Sequence, residues 1–184
     1  MKVLIISSIR CGGFYFMNEL CKNHNLSPYH EPKNVGEIKE GFEVADDVCI
    51  KVLTYKPWKD DSRIEKLIKY ASFFDKVFIL DRRDKEEQLR AVFHLFEYSN
   101  DMRLQYEWND SMFNKKDSKK TKEYYSDWIN RQTSRLEKIS EGLGEDIVYY
   151  EDLYYNTEKV DLKGLKFEPD LNKRLRKKSE KKLV

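Results

Sequence analysis

A glycine-bearing loop near the start of the chain combines residue types that bind anions. A short apolar, β-branched run from Lys2 to Ile6 is followed by S-S-I-R-C-G-G at positions 7–13 and by an amphipathic stretch from Phe14 to about Asn23. A strand, a loop and a helix in this order direct several backbone N–H groups and the positive end of the helix dipole toward one point. Arg10 adds a forked, permanently charged donor. These residues predict a site for phosphate or sulfate.

The same loop lacks the patterns of the common nucleotide sites. No Lys-Ser or Lys-Thr pair follows Gly12 and Gly13, as a Walker A motif requires, and the G-x-G-x-x-G pattern of dinucleotide folds is missing. Met17 stands where a phosphatase loop that began at Cys11 would need an arginine, so Cys11 is expected to fill a tight turn. The alternative is that the two glycines form an ordinary turn without a ligand.

Two arginines follow a second apolar run. Lys76 to Leu80 predicts a strand buried on both faces, and D-R-R-D-K-E-E-Q comes directly after it. Arg82 and Arg83 would then lie at the carboxyl end of a parallel strand, where α/β folds bind ligands. At least one of them is expected to reach a phosphate. The alternative is weak surface pairing, worth under about 1 kcal/mol, with neighbouring acidic residues, namely Asp81, Asp84 or Glu86.

A candidate general base follows a short strand over Ser27 to His30. His30 and Glu31 would lie at the same edge of the sheet as the glycine loop, and either an imidazole or a carboxylate can accept a proton there. The alternative is that both are exposed turn residues with no chemical role.

Apolar periodicity divides the chain into alternating strands and helices. Further strands are predicted at Val48 to Leu53 and Ile147 to Tyr149, and further helices at Arg63–Phe73, Arg82–Tyr98 and Glu123–Leu143. The polar segment from Ser99 to Lys120 is expected to form a long loop that shapes a substrate site. The pattern predicts an α/β fold in one domain over 1–184, with a mostly parallel sheet flanked by helices.

Composition narrows the class of protein. The chain has 184 residues, 40% of them hydrophobic, and a formal net charge of +2, which excludes a disordered chain and says little about partners. The segment from Lys173 to Val184 is basic and is either an arm for an anionic ligand, nucleic acid included, or a solvated tail. Three cysteines without metal-ligand spacing predict reduced thiols in a cytoplasmic protein. No apolar run is long enough for a membrane span or a signal peptide.

These segments together resemble the PAPS-dependent sulfotransferases, where PAPS is 3′-phosphoadenosine 5′-phosphosulfate. S-S-I-R-C-G-G-F-Y resembles the family's first motif, S-x-P-R/K-S-G followed by two hydroxyl residues, and R-R-D-K-E-E-Q-L-R-A resembles its bacterial second motif, R-R-D-K-x-x-Q-A-x-S. V-Y-Y-E-D-L at positions 148–153 is similar to V-x-Y-E-D-L, and R-L-R-K-K-S near the end is similar to a basic segment that closes over the nucleotide. The resemblance covers nearly the whole chain and implies a P-loop-like three-layer fold without a metal.

The resemblance also implies roles for individual residues. The 5′-phosphosulfate of PAPS would lie on the loop Arg10, Cys11, Gly12, Gly13 and Phe14, with Arg10 at the bridging oxygen that leaves. Arg83 and Lys177 would hold the 3′-phosphate. Glu31 is the preferred base for a hydroxyl acceptor, with His30 second. Independently of the resemblance, the aromatic faces of Tyr106, Trp108 and Phe113 in the polar loop suit a sugar ring, so a carbohydrate hydroxyl is the expected acceptor.

Several positions depart from the family's motifs. Ile9 replaces the usual proline, Gly13 and Phe14 replace the hydroxyl residues, and Ala91 replaces the serine of the second motif. Each lost hydrogen bond to a charged phosphate would cost about 1.5–3 kcal/mol. The sequence therefore leaves three functions open: a PAPS-dependent sulfotransferase, an inactive relative that still binds the nucleotide, and a nucleic-acid-binding module.

Overall fold

Five parallel strands form one sheet at the centre of the molecule. The computed structural model describes residues 1–30, 46–54, 62–97, 122–156 and 160–167. The strands are β1 (Lys2–Ser7), β2 (Ser27–His30), β3 (Val48–Leu53), β4 (Lys76–Asp81) and β5 (Ile147–Tyr149). Their order across the sheet is β2-β3-β1-β4-β5, and every neighbouring pair is parallel.

The helices lie between and after the strands in the chain. They are α1 (Gly13–His24), α2 (Ser62–Ala71), α3 (Lys85–Glu97), α4 (Lys122–Leu143) and α5 (Tyr150–Tyr155). Parallel strands need crossover connections, and helices are the usual ones. The predicted alternation of strands and helices is therefore confirmed, and the three-layer α/β architecture is the one expected of a P-loop-like fold.

The central strands are apolar on both faces because helices cover both sides. Alternate residues of β1 point to opposite layers, so that Val3 and Ile5 pack with α1 and α5. Leu4 and Ile6 pack instead against residues of α2 and α4, among them Leu67. A third cluster joins α3 to α4 and includes a loop residue, and its members are Ile9, Leu89, Val92, Phe93, Tyr125 and Ile129.

The start of α3 differs from the predicted one. The helix begins at Lys85 and not at Arg82, because the carboxylate of Asp84 accepts the backbone N–H of Glu87 at 2.8 Å and so caps the first turn. Arg82 and Arg83 consequently lie in the loop between β4 and α3. This places both arginines at the carboxyl edge of the sheet.

Two global properties were also expected from composition. Cys11, Cys21 and Cys49 are all buried free thiols. None of the described helices has the length and apolarity needed to cross a membrane.

Candidate anion-binding site

The loop after β1 lies at the middle of the sheet's carboxyl edge. Ser7, the last residue of β1, pairs in register with Leu53 of β3 and with Leu80 of β4. The ends of all five strands meet at this edge because the sheet is entirely parallel. The loop then enters α1 at Gly13. Ligands of open α/β sheets bind at such an edge.

The backbone of the loop makes a tight turn that requires glycine. Gly12 has φ +81°, in the left-handed region, and Arg10 has φ +60°. A Cβ atom at Gly12 would lie 2.6 Å from the ring of Tyr150 and 2.9 Å from that of Tyr154. The hydroxyl of Tyr154 also donates to the carbonyl oxygen of Gly12 at 3.1 Å. Helix α5 therefore packs directly on this turn and holds its shape.

A buried polar network lies beneath the loop. Ser8 Oγ donates to Asp81 Oδ1 at 2.7 Å, and the carboxylate of Asp81, 1% exposed, also accepts from Lys85 Nζ at 2.7 Å and from Thr133 Oγ1 at 3.0 Å. Gln88 Nε2 donates to Ser8 Oγ at 2.9 Å. A buried carboxylate needs several partners of this kind. The network fixes the first residues of the loop on β4, α3 and α4.

Two buried glutamines bind the peptide groups of Ile9. Gln88 Nε2 donates to the carbonyl oxygen of Ile9 at 2.7 Å, and Gln132 Oε1 accepts the backbone N–H of Ile9 at 3.0 Å. The backbone N–H and carbonyl groups of Ile9 are thus both hydrogen-bonded to side chains of helices α3 and α4. The backbone of the following residue, Arg10, is held in its left-handed conformation between this clamp and the turn at Gly12.

Lys51 brings a cation to the inner side of the loop. The residue lies in β3 and is only 4% exposed. A Cβ atom at Gly13 would lie 3.1 Å from Lys51 Cε and 3.2 Å from Ser7 Oγ. Lysine is almost never fully buried without a partner charge or ligand. The side chain of Lys51 therefore lies close against Gly13 at the first turn of α1, where a larger residue would crowd it.

Cys11 fills the interior of the turn. Its thiol is buried and donates to the carbonyl oxygen of Ser8 at 3.1 Å. Burial raises the pKa of the Cys11 thiol, and the Gly13 backbone and the positive charge of Lys51 oppose that rise. The neutral thiol acts as a small packed residue, as the sequence predicted.

His30 lies next to the first turn of α1. Its imidazole stacks on the ring of Phe14, with centroids 5.1 Å apart and planes 28° from parallel. Phe14 is half exposed. The stack brings one of the two candidate bases to the loop that carries the anion site. Glu31, the other candidate base, lies outside the described residues.

Arg83 is engaged by acidic residues of α5. Its two terminal nitrogens donate to the two carboxylate oxygens of Asp152 at 2.7 and 2.6 Å, and its guanidinium lies 4.3 Å from the centre of the Tyr149 ring. The hydrogen bonds to Asp152 raise the pKa of Arg83. Arg82 lies 3.7 Å from both Glu87 and Glu151. The alternative of pairing with acidic residues is thus observed with other partners than Asp81, Asp84 or Glu86, namely Glu87 on α3 and the two carboxylates of α5.

The predicted site residues thus fall into three groups. The loop residues Arg10 to Phe14 and the base candidate His30 lie together around the N-terminus of α1. Arg83 lies at the end of the neighbouring strand and contacts α5. Lys177, the rest of the basic C-terminal segment and the polar loop 99–120 lie outside the described residues.

Sequence reasoning missed Lys51, Gln88 and Gln132. The signal for Lys51 was a single charged residue inside the otherwise apolar run V-C-I-K-V-L. The two glutamines carry no local signal, since both lie on amphipathic helices far from the loop in sequence.

Searches for related proteins and for ligand sets add no further assignment. No group of three or more His, Cys, Asp or Glu side chains that could hold a metal ion occurs within the five described ranges of the chain. No family model, no curated protein and no solved structure matches the chain.

Proposed function

We propose that this chain is a sulfotransferase that moves a sulfuryl group from PAPS to a hydroxyl acceptor. The observation that carries the proposal is the pair of cations around the turn at Gly12 and Gly13. Lys51 is buried with its Cε next to Gly13, and Arg10, three residues earlier in the loop, is exposed. Phosphosulfate is an anion of suitable charge for a loop that has two cationic residues in or beside it.

The residues present fit a phosphate or sulfate group. An α-helix leaves its first N–H groups without intrahelical acceptors, and the first backbone hydrogen bond of α1 runs from Phe16 N–H to Gly12 O at 3.1 Å. The absence of a side chain at Gly13 lets the Lys51 side chain lie close to this helix end. PAPS, when bound, supplies the activated sulfuryl group.

Catalysis at this site rests on position and charge. Transfer of a sulfuryl group requires in-line placement of donor and acceptor and neutralisation of the charge that develops on the leaving oxygen. Arg10 is the proposed partner of that oxygen. Lys51 is the proposed partner of an oxygen on the inner side of the group. The backbone of Arg10 is held by the hydrogen bonds at Ile9 and by the packing of α5 on Gly12, whereas Lys51 is held by its place in β3.

His30 is the described candidate for the general base. It would accept the proton of the acceptor hydroxyl, and its stack on Phe14 orients the imidazole beside the N-terminus of α1. Glu31, the next residue in the chain, is the base favoured by the family resemblance. A carbohydrate hydroxyl is the proposed acceptor. The three buried free thiols support a reducing compartment such as the cytoplasm.

Calorimetric titration with adenosine 3′,5′-bisphosphate (PAP), the product nucleotide, tests the proposal. We expect binding that weakens about tenfold or more in Arg10→Ala and in Lys51→Met, because each variant removes a charged hydrogen-bond donor. Lys66→Met is the matched control, since Lys66 is an exposed lysine on α2, and it should bind as the wild type does. A Kd of about 1 mM corresponds to only about 4 kcal/mol of binding free energy. Absence of binding heat with PAP up to that concentration would reject the proposal.

A nucleotide-binding protein without transfer activity is the second candidate. The ring of Phe14 occupies the place of a family hydroxyl and stacks on His30, which favours binding without turnover. Tight binding of PAP together with no sulfuryl transfer from PAPS to a panel of sugar and phenol hydroxyls would select this candidate over the enzyme.

A further inference from the structure

The short helix α5 carries two adjacent carboxylates toward the loop that precedes α3. Asp152 makes the bidentate pair with Arg83 at 2.7 and 2.6 Å. Glu151 accepts the backbone N–H of Arg83 at 3.0 Å through Oε2 and the backbone N–H of Asp84 at 3.1 Å through Oε1. The guanidinium of Arg83 and the two backbone N–H groups just before α3 are thus already hydrogen-bonded to carboxylates of the same chain.

These two carboxylates have the contacts that an external phosphate would make. A phosphate at a helix N-terminus accepts backbone N–H groups, and a phosphate beside arginine accepts two parallel N–H bonds. Glu151 accepts the hydrogen bonds of the backbone N–H groups, and Asp152 accepts those of the arginine side chain. The ring of Tyr149 covers one face of the same guanidinium. The Arg83 side chain is nevertheless 52% exposed.

Helix α5 is held in this position by its other face. The rings of Tyr150 and Tyr154 pack against Gly12, and Tyr154 donates to the Gly12 carbonyl oxygen. Tyr150, Leu153 and Tyr154 belong to the core cluster that includes Phe16 of α1. A movement of α5 that freed Arg83 would therefore also disturb the turn of the anion-binding loop.

We propose that Asp152 and Glu151 are built-in anions that close the Arg83 subsite, so that the protein recognises a nucleotide by its 5′ group and not by a 3′-phosphate. This inference rests on the proposed function, because it concerns the nucleotide that the same site would bind. Arg83 then does not contact the ligand, and its role is to connect the end of β4 to α5. Among the residues that the structure describes, specificity for the nucleotide then resides in the loop at Arg10 to Phe14 and in Lys51.

The affinity ratio of PAP to AMP tests this inference, because the two nucleotides differ only in the 3′-phosphate. We expect the wild type to bind the two with affinities within about fivefold of each other, since an unpaired charged contact would contribute about tenfold or more. In Asp152→Asn the carboxylate charge is removed while the side chain keeps its size. Arg83 is then available, and the preference for PAP should rise by about fivefold or more with AMP affinity unchanged.

Glu137→Gln is the charge-matched control, because Glu137 is an exposed carboxylate on α4, and its ratio should equal that of the wild type. Arg83→Gln in the Asp152→Asn background should return the ratio to the wild-type value. Circular dichroism of each variant verifies that it is folded.

The outcomes separate this inference from the proposed function. A wild-type preference for PAP over AMP of about fivefold or more overturns the inference and leaves the proposed function standing. An unchanged ratio in folded Asp152→Asn also overturns it, because Asp152 would then not be what closes the subsite. If neither nucleotide binds the wild type, the proposed function and the inference fall together.

Discussion

Gln132 Oε1 accepts the backbone N–H of Ile9 at 3.0 Å and so joins helix α4 to a loop that lies 123 positions away in the chain. The carbonyl oxygen of Ile9 accepts a hydrogen bond from Gln88 Nε2 at 2.7 Å. Two helices on one side of the sheet therefore fix the peptide groups that precede Arg10. The geometry of the anion-binding loop depends on side chains that would never touch a ligand.

Replacement of Gln132 by leucine should destabilise the fold. The backbone N–H of Ile9 would remain buried without an acceptor, which costs about 1–3 kcal/mol. Urea unfolding followed by circular dichroism measures the difference. Asn130→Leu on the exposed face of the same helix is the control and should change stability by about 0.5 kcal/mol or less. A Gln132→Leu variant as stable as this control would show that the hydrogen bond to Ile9 is not needed.

Gly12→Ala should be more damaging than Gly164→Ala, although both positions have positive φ. Gly164 has φ +76° and open space where a side chain would lie, whereas Gly12 has φ +81° and two tyrosine rings within 3 Å. The left-handed backbone costs an alanine about 1–2 kcal/mol at either position. Forced repacking at Gly12 adds about 1–3 kcal/mol.

The difference between the two midpoints in urea isolates the packing contribution of α5 on the loop. Equal destabilisation of the two variants would mean that Tyr150 and Tyr154 can move aside at little cost. In that case the turn would not depend on α5.

Local patterns were sufficient to predict most of the elements but few of the contacts. The strand runs at Ser27–His30, Val48–Leu53 and Ile147–Tyr149 coincide with the observed strands, because buried parallel strands have a distinctive apolar composition. The glycine loop was found from the same kind of signal, since a strand, glycines and a helix are contiguous in sequence.

Such local patterns could not predict contacts between residues that are distant in sequence. The acidic partner of Arg83 is Asp152, which lies 69 positions further along the chain, and not one of its neighbours. Lys51 reaches the loop only because β3 lies beside β1 in the sheet. No periodicity in a single sequence specifies which strands become neighbours.

Asp81→Asn should weaken both the fold and the anion site. The buried carboxylate of Asp81 accepts hydrogen bonds from Ser8, Lys85 and Thr133. An amide cannot accept all three, and the loss of one hydrogen bond to a charged group costs about 1.5–3 kcal/mol. Urea unfolding gives the stability, and titration with PAP gives the affinity. Full retention of both would contradict a structural role for the network beneath Ser8.

Lys51→Met should separate stability from ligand binding. A methionine of similar length can replace the lysine stem in β3, so that the packing of the strand is largely kept while the charge is removed. We therefore expect an unchanged or raised melting temperature together with PAP binding that is weakened about tenfold or more. A residue kept for function at a cost in stability behaves in this way. A large fall in melting temperature would instead assign Lys51 a structural role.

The stability of the fold should decrease at alkaline pH because of two groups behind the loop. Burial raises the pKa of the Cys11 thiol above its ordinary value of 9.0, and burial together with neighbouring negative charges raises the pKa of Tyr154 above its ordinary value of 10.0. Below these ordinary values both groups are protonated in the folded and the unfolded chain, so their contribution is fully present. Above them the unfolded chain releases protons that the folded chain keeps. Stability then falls by up to about 1.4 kcal/mol per pH unit for each group.

Tyr154→Phe tests the part of this pH dependence that comes from the tyrosine hydroxyl. The variant loses the hydrogen bond to Gly12, which lowers stability by about 0.5–1.5 kcal/mol at every pH, but it also lacks the ionisable hydroxyl. Its free energy of unfolding should therefore fall less steeply than that of the wild type between about pH 10 and 11. Cys11→Ala should flatten the curve from about pH 9 upward for the same reason. Parallel curves for the wild type and Tyr154→Phe would mean that the hydroxyl ionises as readily in the fold as in the unfolded chain, and that α5 does not seal the turn at Gly12 from water.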